Sequence, residues 1–348
     1  MIVLPNLSSM GGVSAFWNSL FPILNDYTNL SIEKFEIGGS VKSIISPFKD
    51  QWNFYKKTKI ERDLVILNPS LKTKSFFRDA MFAKRLVSKK IPFMVFFHGW
   101  DKDFEENVTK KYSNFFLNTF GQSKIIFVLS KDFKEKIIEW GYKGEVIIET
   151  TNIDYRLFEH FSIENKIDQV KNSQKIKILF LARLFKEKGI YELIEAFESL
   201  QVNYNYIELA IAGDGKEFED VKKRAKGNKS IKIYGHVEGK DKIKLFTESH
   251  IYCLPSYSEG LPTSVLEAMA FGLPVITTEV GGLKYFFKNN EMGFFVKLQD
   301  SKDLASKLDF LITNKNKIIE IGQYNYTLAH KTLLNTVVAK RLYNKIIE

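Results

Sequence analysis

Residues 250–278 read HIYCLPSYSEGLPTSVLEAMAFGLPVITT and contain the pattern that decides the fold. The apolar run HIYCLPS predicts a strand, and the apolar run PVITT (274–278) predicts a second one. Between them, Pro262 suits the first turn of a helix and Gly272 suits the position just past its end. A strand, a helix and a strand in this order form a βαβ unit, which favours parallel strands in one sheet.

The same alternation of short apolar runs and helical patterns extends along the whole chain of 348 residues. It is typical of proteins built from parallel α/β units. The first half contains predicted strands at MIVLP (1–5), DLVIL (63–67), IPFMVFF (91–97), KIIFVLS (124–130) and EVIIET (145–150). The second half adds KIKILFLA (175–182), IELAIAG (207–213) and SIKIYGHV (230–237), ahead of the two strands quoted above.

A polar stretch without a hydrophobic period or glycine, HFSIENKIDQVKNSQ (160–174), separates the two halves. We therefore predict an α/β protein with two Rossmann-like domains, residues 1–160 and 175–348, joined by a linker at 161–174. The terminal helix is a candidate to pack back on the first domain. Parallel sheets bind ligands beyond the carboxyl ends of their strands, so we expect the functional residues in the loops at those ends, facing a cleft between the domains.

Composition indicates a globular protein without disulfides or a membrane-spanning helix. Apolar residues make up 45% of the chain, which is enough for sizeable buried cores. Cys253 is the only cysteine, which excludes an intrachain disulfide and a cysteine-based metal site. No run approaches the ~18–20 apolar residues that cross a bilayer, and MIVLPNLSS is too short for a signal peptide. These features predict a cytoplasmic protein that is soluble or peripheral to a membrane.

The net charge of +10 is concentrated in one part of the chain. Between Lys34 and Pro92 there are 14 Lys and Arg residues against 5 Asp and Glu residues, a surplus of +9. Three interpretations stay open: a solvated basic face of a helix around 70–90, a surface that lies against anionic lipid headgroups, and a nucleic-acid site. No nucleic-acid-binding module is recognisable, so we expect no nucleic-acid partner.

Two loops of the first half carry candidate functional residues. Gly11 and Gly12 follow the first predicted strand and open a helix, where paired glycines and free amides suit an anion or serve a tight turn. His98 ends the strand IPFMVFF, where it either contacts a ligand or caps the strand. Asp101 and Asp103 resemble a D-x-D metal site, although such triplets are common in polar loops.

The second half contains two cations and two carboxylates at predicted strand ends. Arg183 ends the strand at 175–182 and Lys188 opens the next helix, a placement that suits phosphate or a solvated turn. Glu259 and Glu267 are about 80° from alignment on a helix, so they do not form one face. A hydrolytic acid–base pair must flank one bond, whereas this spacing favours two contacts along one extended ligand.

Together these segments resemble retaining glycosyltransferases of family 4, which have the GT-B fold of two Rossmann-like domains facing each other across a cleft. Glu259 and Glu267 match the E-x7-E motif of that family, and FLARLFKEKGIYELIEAF (180–197) is similar to its G-R-L-x-x-x-K-G segment. Further similarities follow in the order of the family: GGVSAFWNSL (11–20), His98-Gly99, TNIDYRLF (151–158), LAIAGDG (209–215) and IKIYGHV (231–237).

The resemblance implies a role for each candidate residue. Glu267 would hydrogen-bond the donor ribose, Glu259 would contact hydroxyls of the transferred sugar, and Val237 would meet the base through its backbone. His98 would lie close to the transferred sugar from the first, acceptor-side domain. The residues that would hold the donor diphosphate are Arg183, Lys188, Gly11, Gly12, Thr263 and Ser264. The implied catalytic group comprises His98, Glu259, Arg183 and Lys188.

The implied activity is transfer of a sugar from a nucleoside-diphosphate donor, with a UDP-sugar favoured, to a glycan or lipid-linked glycan acceptor in cell-surface polysaccharide or lipopolysaccharide synthesis. The anomeric configuration would be retained, because the departing phosphate is thought to deprotonate the acceptor on the same face. Family members are usually metal-independent, so we expect no metal and no cofactor besides the sugar-nucleotide co-substrate. Peripheral contact of the basic stretch 34–92 with the cytoplasmic face of an anionic membrane is compatible with this role.

Two alternatives on the same fold stay open: a non-catalytic subunit that binds a sugar nucleotide or serves as a scaffold, and a sugar-nucleotide epimerase. The presence of Glu259, Arg183 and Lys188 weighs against the first. The combination of E-x7-E with Arg-x4-Lys weighs against the second. The positions at which the family often has glycine but this chain does not are Ala182, Pro262 and Ile153.

Overall fold

The structure of the protein is a computed structural model that describes residues 1–8, 11–38 and 46–348. The described chain divides into two compact units, each built around its own parallel sheet. Unit 1 comprises Met1–Asn152 together with Asn335–Glu348, and unit 2 comprises Ile153–Leu334. The prediction of an α/β protein with two Rossmann-like halves is therefore confirmed.

Unit 1 alternates short strands and helices. Its strands are β1 (Ile2–Pro5), β2 (Lys34–Ile37), β3 (Val65–Leu67), β4 (Ser70–Leu71), β5 (Phe93–Phe96), β6 (Gly99–Trp100), β7 (Ile125–Val128) and β8 (Glu145–Ile148). Its first helices are α1 (Gly12–Asn25), α2 (Ser46–Lys57), α3 (Thr73–Lys89), α4 (Lys102–Asn107), α5 (Ser113–Leu117) and α6 (Lys131–Glu139). Six strands form a parallel sheet in the order β2-β1-β3-β5-β7-β8, and β4 pairs with β6.

Unit 2 has the same architecture, and the chain returns to unit 1 after it. Its strands are β9 (Ile176–Leu181), β10 (Ile207–Ala212), β11 (Ile231–Ile233), β12 (Ile251–Leu254), β13 (Val275–Thr278) and β14 (Gly293–Val296). Its helices are α7 (Ile163–Asn172), α8 (Ile190–Gln201), α9 (Phe218–Arg224), α10 (Gly239–Glu248), α11 (Thr263–Ala270), α12 (Leu283–Phe286), α13 (Ser301–Ile312) and α14 (Lys315–Thr332). The last helix, α15 (Asn335–Ile347), belongs to unit 1.

The sheet of unit 2 has the strand order β11-β10-β9-β12-β13-β14. From β9 the chain proceeds to β10 and β11 on one side and then crosses to β12 on the other side. Every neighbouring pair is parallel. The loops that follow β9 and β12 therefore diverge at their carboxyl ends, which is where open parallel sheets bind ligands.

Apolar layers cover both faces of the sheet in unit 1. On one face, Phe16 and Trp17 of α1 pack in the same cluster as Val338 and Leu342 of α15. This burial explains why the last helix belongs to unit 1 although it follows unit 2 in the chain. The guanidinium of Arg341 in α15 also donates to the buried carboxylate at the end of β8, Glu149, from Nε at 3.0 Å.

The predicted linker at 161–174 is wrong, because this stretch contains α7. The Ser162 side chain caps the helix by accepting from the Asn165 amide at 3.1 Å. Lys166 is buried, and its ammonium group donates to backbone carbonyls at the end of α10, including that of Thr247 at 2.6 Å. A buried lysine obscures the apolar period of a helix in the sequence. The boundary between the two units falls after Asn152 and not at residue 160.

The helices are amphipathic rather than uniformly apolar. The 18-residue helix α14 buries Ile318, Ile321 and Asn325, whereas Asn316 and Glu320 on other sides of it are exposed. Across residues 1–8, 11–38 and 46–348, none of the helices combines the length and the apolar character that a bilayer-spanning segment requires.

Candidate active site

The cations and carboxylates predicted in the second half lie where the strand order of unit 2 reverses. Arg183 and Lys188 follow β9, Glu259 follows β12, and Glu267 lies in α11. The Lys188 ammonium lies 2.6 Å from Oε1 of Glu259, and only 18% and 9% of the two side chains are exposed. The Ser256 hydroxyl donates to the same carboxylate oxygen at 2.7 Å. The structure thus joins two of the predicted residues in one largely buried ion pair.

Backbone contacts hold the turn after β9 against the loop after β12. The Tyr257 amide donates to the Glu187 carbonyl at 2.8 Å. Gly189 has a φ of +72°, and a Cβ at this position would lie 2.1 Å from the carbonyl oxygen of Pro255. Glycine is the residue that accommodates both the left-handed backbone and the close contact, which explains its position directly after Lys188.

A second pair of glycines, absent from the predicted site, supports the loop that carries Glu259. Gly281 has a φ of +53°, and a Cβ there would lie 1.7 Å from the carbonyl oxygen of Glu259. The Gly282 amide donates to the Gly260 carbonyl at 2.7 Å. These contacts fix the backbone from which the Glu259 side chain extends. The sequence feature that could have predicted this support is the Gly-Gly pair after β13, since such pairs permit close approach of two backbone segments.

Glu267 has a cationic partner that the sequence analysis missed. Nζ of Lys242, in α10, lies 2.8 Å from Oε1 of Glu267, and the two side chains are 22% and 12% exposed. Lys242 is one of three lysines in the segment GKDKIK (239–244), and no motif distinguishes it. Both glutamates of the E-x7-E motif are therefore charge-paired, and each keeps acceptor lone pairs that can receive ligand hydroxyls.

The N-terminus of α11 lies four residues after Glu259 along the chain. Thr263 and Ser264 are its first residues, and the first amides of a helix have no acceptor within the helix. The Tyr252 hydroxyl is hydrogen-bonded to the Leu181 carbonyl (2.9 Å) and to the Ser264 hydroxyl (2.7 Å), which ties the end of β9 to the start of α11. Burial raises the pKa of Tyr252. Free amides and the positive end of the helix dipole suit an anion here.

Arg183 differs from Lys188 in its surroundings. Its side chain is exposed, and its guanidinium lies 5.2 Å from the ring centroid of Phe185. Within the described ranges, no carboxylate lies within ion-pair distance of Arg183. Val237 is half-buried in the loop after β11, at the same edge of the sheet. The unpaired guanidinium is a cation that a ligand anion can reach without displacing a carboxylate.

In unit 1, His98 follows β5 and is held by defined contacts. Its Nε2 lies 2.9 Å from Oδ1 of Asn68, whose Nδ2 donates to the Val3 carbonyl at 2.8 Å. Because the second bond orients the amide, Oδ1 is the acceptor and Nε2 of the neutral imidazole is the donor. The ring stacks on Phe96 with centroids 3.9 Å apart. Burial lowers the pKa of His98 to about 3, so Nδ1 remains as an acceptor at neutral pH.

We expect His98 to make the protein less stable as the pH falls below about 6.5. The imidazole has a pKa of about 3 in the folded protein, so between these values only the unfolded chain binds the proton. Lowering the pH from 7 to 5 should therefore remove about 2 kcal/mol from the free energy of unfolding through this residue. Urea unfolding of the wild type and His98→Gln at both pH values measures the difference. An identical pH dependence in the two proteins would contradict an imidazole that stays neutral in the folded protein.

The remaining candidates of unit 1 are Gly11, Gly12 and the two aspartates after His98. Gly11 precedes α1 with extended backbone, and no described heavy atom lies within 4 Å of a Cβ added at either glycine. Asp101 caps α4, since its side chain accepts from the Phe104 amide at 3.0 Å. In the part of the chain that the structure describes, no group of three or more His, Cys, Asp or Glu residues could hold a metal ion.

The predicted site residues are divided between the units. Those of unit 2 converge on the carboxyl ends of β9 and β12, with Val237 farther along the same edge. The members in unit 1 are Gly11, Gly12 and His98, and the members in unit 2 are Arg183, Lys188, Val237, Glu259, Thr263, Ser264 and Glu267.

Comparison with solved structures shows which fold the chain has. The chain matches the lipopolysaccharide outer core galactosyltransferase WaaB in its apo form with a TM-score of 0.69, at 16% identity over 99% of this chain and 98% of that one. It matches Anabaena Alr3699/HepE in complex with UDP with a TM-score of 0.71, at 15% identity over 99% and 98% of the two chains. At these identities the likeness shows the fold, which is the predicted GT-B fold.

Sequence comparison then identifies the domain that carries most of the site. Residues 162–327 match the family described as Glycosyl transferases group 1. This part of the chain is a group 1 glycosyltransferase domain. It contains all seven predicted site residues of unit 2, including the Lys188–Glu259 pair.

Several bacterial relatives align with part of the chain. A putative teichuronic acid biosynthesis glycosyltransferase, TuaC, from Bacillus subtilis is 27% identical over 260 residues, which are 72% of this chain and 63% of that protein. The capsular polysaccharide biosynthesis glycosyltransferase CapM from Staphylococcus aureus is 26% identical over 198 residues, 56% of this chain and 50% of CapM. An uncharacterized glycosyltransferase from Haemophilus influenzae is 32% identical over 161 residues, 46% of this chain and 45% of that protein. The chain spans from under half to just under two thirds of the length of these relatives.

Proposed function

We propose that this protein transfers a sugar from a nucleoside-diphosphate donor, with UDP as the favoured nucleotide, to a glycan or lipid-linked glycan acceptor. The setting would be synthesis of a cell-surface polysaccharide. The group 1 domain supports the reaction class, and the names of TuaC and CapM support the setting. The structure of HepE with bound UDP supports the choice of nucleotide.

The observation that carries the proposal is the pairing of Lys188 with Glu259 beside the first turn of α11. The pair brings a cation for a leaving diphosphate next to a carboxylate for sugar hydroxyls, 2.6 Å apart. Arg183 adds an exposed guanidinium at the end of the neighbouring strand. A buried carboxylate and a cation in contact suit a ligand with an anionic end and a hydroxylated end, which describes a sugar diphosphate.

The proposed chemistry relies on stabilising the departing diphosphate. As the glycosidic bond breaks, negative charge increases on the diphosphate oxygens, and preorganised cations and amides stabilise that charge. We assign this task to Arg183, Lys188 and the amides of Thr263 and Ser264, so that no metal ion is required. Glu267 would accept hydrogen bonds from the donor ribose, because its second oxygen is free of Lys242.

We further propose that the reaction retains the anomeric configuration. The departing phosphate would take the proton of the acceptor hydroxyl on the face from which it leaves. His98 would assist by accepting a hydrogen bond from a hydroxyl of the transferred sugar at Nδ1, since its Nε2 proton is directed to Asn68. A neutral imidazole adds no charge beside the positive anomeric carbon that develops in the transition state.

Nucleotide binding is tested by thermal unfolding with UDP, GDP, ADP and CMP. We expect UDP at about 100 times its dissociation constant to add ~2.7 kcal/mol of stability. For a domain of the size of unit 2 that unfolds in one step, the unfolding temperature would rise by roughly 5–10 °C. Replacing Arg183 by alanine should weaken UDP binding by about 10- to 100-fold, because a charge-assisted hydrogen bond to phosphate is lost.

The matched control is Arg224→Ala. Arg224 is also an exposed arginine of unit 2, and its guanidinium lies 3.7 Å from Glu198, away from β9 and β12. This variant should keep the full response to UDP. If no nucleotide stabilises the wild type, or if Arg183→Ala responds as the wild type does, the non-catalytic alternative becomes the better account.

A further inference from the structure

Helices α10 and α11 of unit 2 are joined by two matched pairs of side chains. Phe246 of α10 and Phe271, directly after α11, stack with ring centroids 5.2 Å apart and planes 6° from parallel. Lys242 and Glu267 lie four residues before these rings, and Nζ of Lys242 is 2.8 Å from Oε1 of Glu267. Because residues four apart share one face of a helix, the ion pair lies one turn from the aromatic pair.

The end of α10 that follows Lys242 is held by contacts that do not involve Glu267. Phe246 is fully buried. The ammonium of the buried Lys166 donates to the carbonyls of Thr247 at 2.6 Å and of Phe246 at 3.3 Å. Such a lysine satisfies the last carbonyls of a helix, which have no partner within the helix. The backbone that carries Lys242 is therefore fixed independently of the carboxylate that Lys242 contacts.

Glu267 has one carboxylate oxygen engaged and the other available. Its side chain is 12% exposed, and within residues 1–8, 11–38 and 46–348 no donor besides Lys242 is bonded to the carboxylate. The contact at Oε1 restricts rotation of the carboxylate, so Oε2 presents both of its lone pairs in one direction. Two neighbouring hydroxyls of one ligand can donate to a carboxylate that is held in this way, one to Oε2 and one to the remaining lone pair of Oε1.

We propose that Lys242 is a positioning residue that makes the donor site selective for ribonucleotides over 2′-deoxyribonucleotides. By holding Glu267 at Oε1, Lys242 directs the carboxylate at the adjacent 2′ and 3′ hydroxyls of a ribose. A 2′-deoxyribose offers only one of these two donors, so one charge-assisted hydrogen bond is lost. The inference rests on the proposed function, which assigns Glu267 to the donor ribose, and extends it to the class of nucleotide that the site accepts.

Calorimetric titration with nucleotides tests the inference. UDP, GDP and ADP, each compared with its 2′-deoxy form, cover the choice of base. We expect the wild type to bind the preferred ribonucleotide about 10- to 100-fold more tightly than its 2′-deoxy form, because a hydrogen bond to a charged group is lost. Lys242→Met should lower this ratio to about threefold or less, mainly by weakening the ribonucleotide, because Glu267 is no longer held in one orientation.

Lys244→Met is the matched control. Lys244 lies in the same helix, its Nζ is 3.9 Å from Oε1 of Glu248, and its side chain is 70% exposed. This variant should keep the wild-type ratio of the two dissociation constants.

Glu267→Gln shows whether Lys242 acts through the carboxylate. It should lower the ratio as Lys242→Met does, and the double variant should lower it no further, because the two side chains act as one unit. The double variant also contains no uncompensated carboxylate, so its comparison with Glu267→Gln tests the inference even where Lys242→Met alone does not fold.

Three results would overturn the inference while leaving the proposed function intact. An unchanged ratio in Lys242→Met would limit the ion pair to the packing of α10 against α11. Equal weakening of the ribonucleotide and the 2′-deoxy form would assign Lys242 to the phosphates. Equal binding of the two forms by the wild type would show that the 2′ hydroxyl is not recognised. The absence of binding by every nucleotide would instead overturn the proposed function and this inference together.

Discussion

Replacing Lys188 with methionine should abolish stabilisation by UDP and lower the rate of sugar transfer by about three orders of magnitude. The substitution removes a cation from the proposed diphosphate site. It also leaves Glu259, whose side chain is only 9% exposed, without its partner at 2.6 Å. An unpaired carboxylate would then repel the diphosphate. Steady-state kinetics with the UDP-sugar and thermal unfolding with UDP measure the two effects.

Stability and catalysis can be separated at this ion pair. Breaking a largely buried pair from one side should lower the free energy of unfolding by about 3 kcal/mol. Adding Glu259→Gln to Lys188→Met should recover much of that loss, since the uncompensated charge is gone, but should not recover transfer. If the double variant regains the wild-type rate, Lys188 only neutralises Glu259 and has no role at the diphosphate.

The second large effect is expected from Gly281→Ala. A Cβ at this position would lie 1.7 Å from the carbonyl oxygen of Glu259, so the loop after β12 has to move. We expect a loss of about 3 kcal/mol or more in the free energy of unfolding. Transfer should fall about a hundred-fold, because a displacement of about 1 Å misplaces the Glu259 carboxylate. Urea unfolding and steady-state kinetics report the two quantities.

Gly239→Ala is the matched control for this substitution. Gly239 has the same φ of +53°, and no described heavy atom lies within 4 Å of a Cβ added there. It should lose only the ~1–2 kcal/mol of a left-handed alanine. Equal losses of unfolding free energy in the two variants would contradict a rigid contact between Gly281 and the Glu259 loop.

Local sequence patterns predicted most strands and the strand ends that carry the site. The runs at 175–182 and 207–213 correspond to β9 and β10, and Gly272 follows α11 with a φ of +68°. These predictions succeed because apolar period and glycine position depend on the residues nearest in the chain. The same information located Arg183, Lys188, Glu259 and Glu267 at the carboxyl edge of a parallel sheet.

The failures of prediction at α2 and α7 have a common cause, whereas β2 and β14 also escaped prediction. The helix α2 was not predicted, and α7 was interpreted as a linker. In α2 the aromatic side chains of Phe48, Trp52 and Tyr55 are exposed, so the apolar pattern does not show that Phe54 is on the buried side. In α7 the buried Lys166 interrupts the apolar face. Residue type predicts burial only on average, so predictions based on hydropathy miss elements that expose aromatic rings or bury a lysine.

By itself, the sequence determined a parallel α/β chain in two Rossmann-like halves, with cations and carboxylates at the strand ends of the second half. Only the tertiary structure determined which side chains and backbone groups of the site are in contact. It joined Lys188 to Glu259 across 71 residues and Lys242 to Glu267 across 25, and it placed Gly281 against the backbone of the Glu259 loop. The physical reason is that periodicity acts between neighbours in the chain, whereas ion pairs and backbone contacts depend on distances that exist only after the strands have assembled.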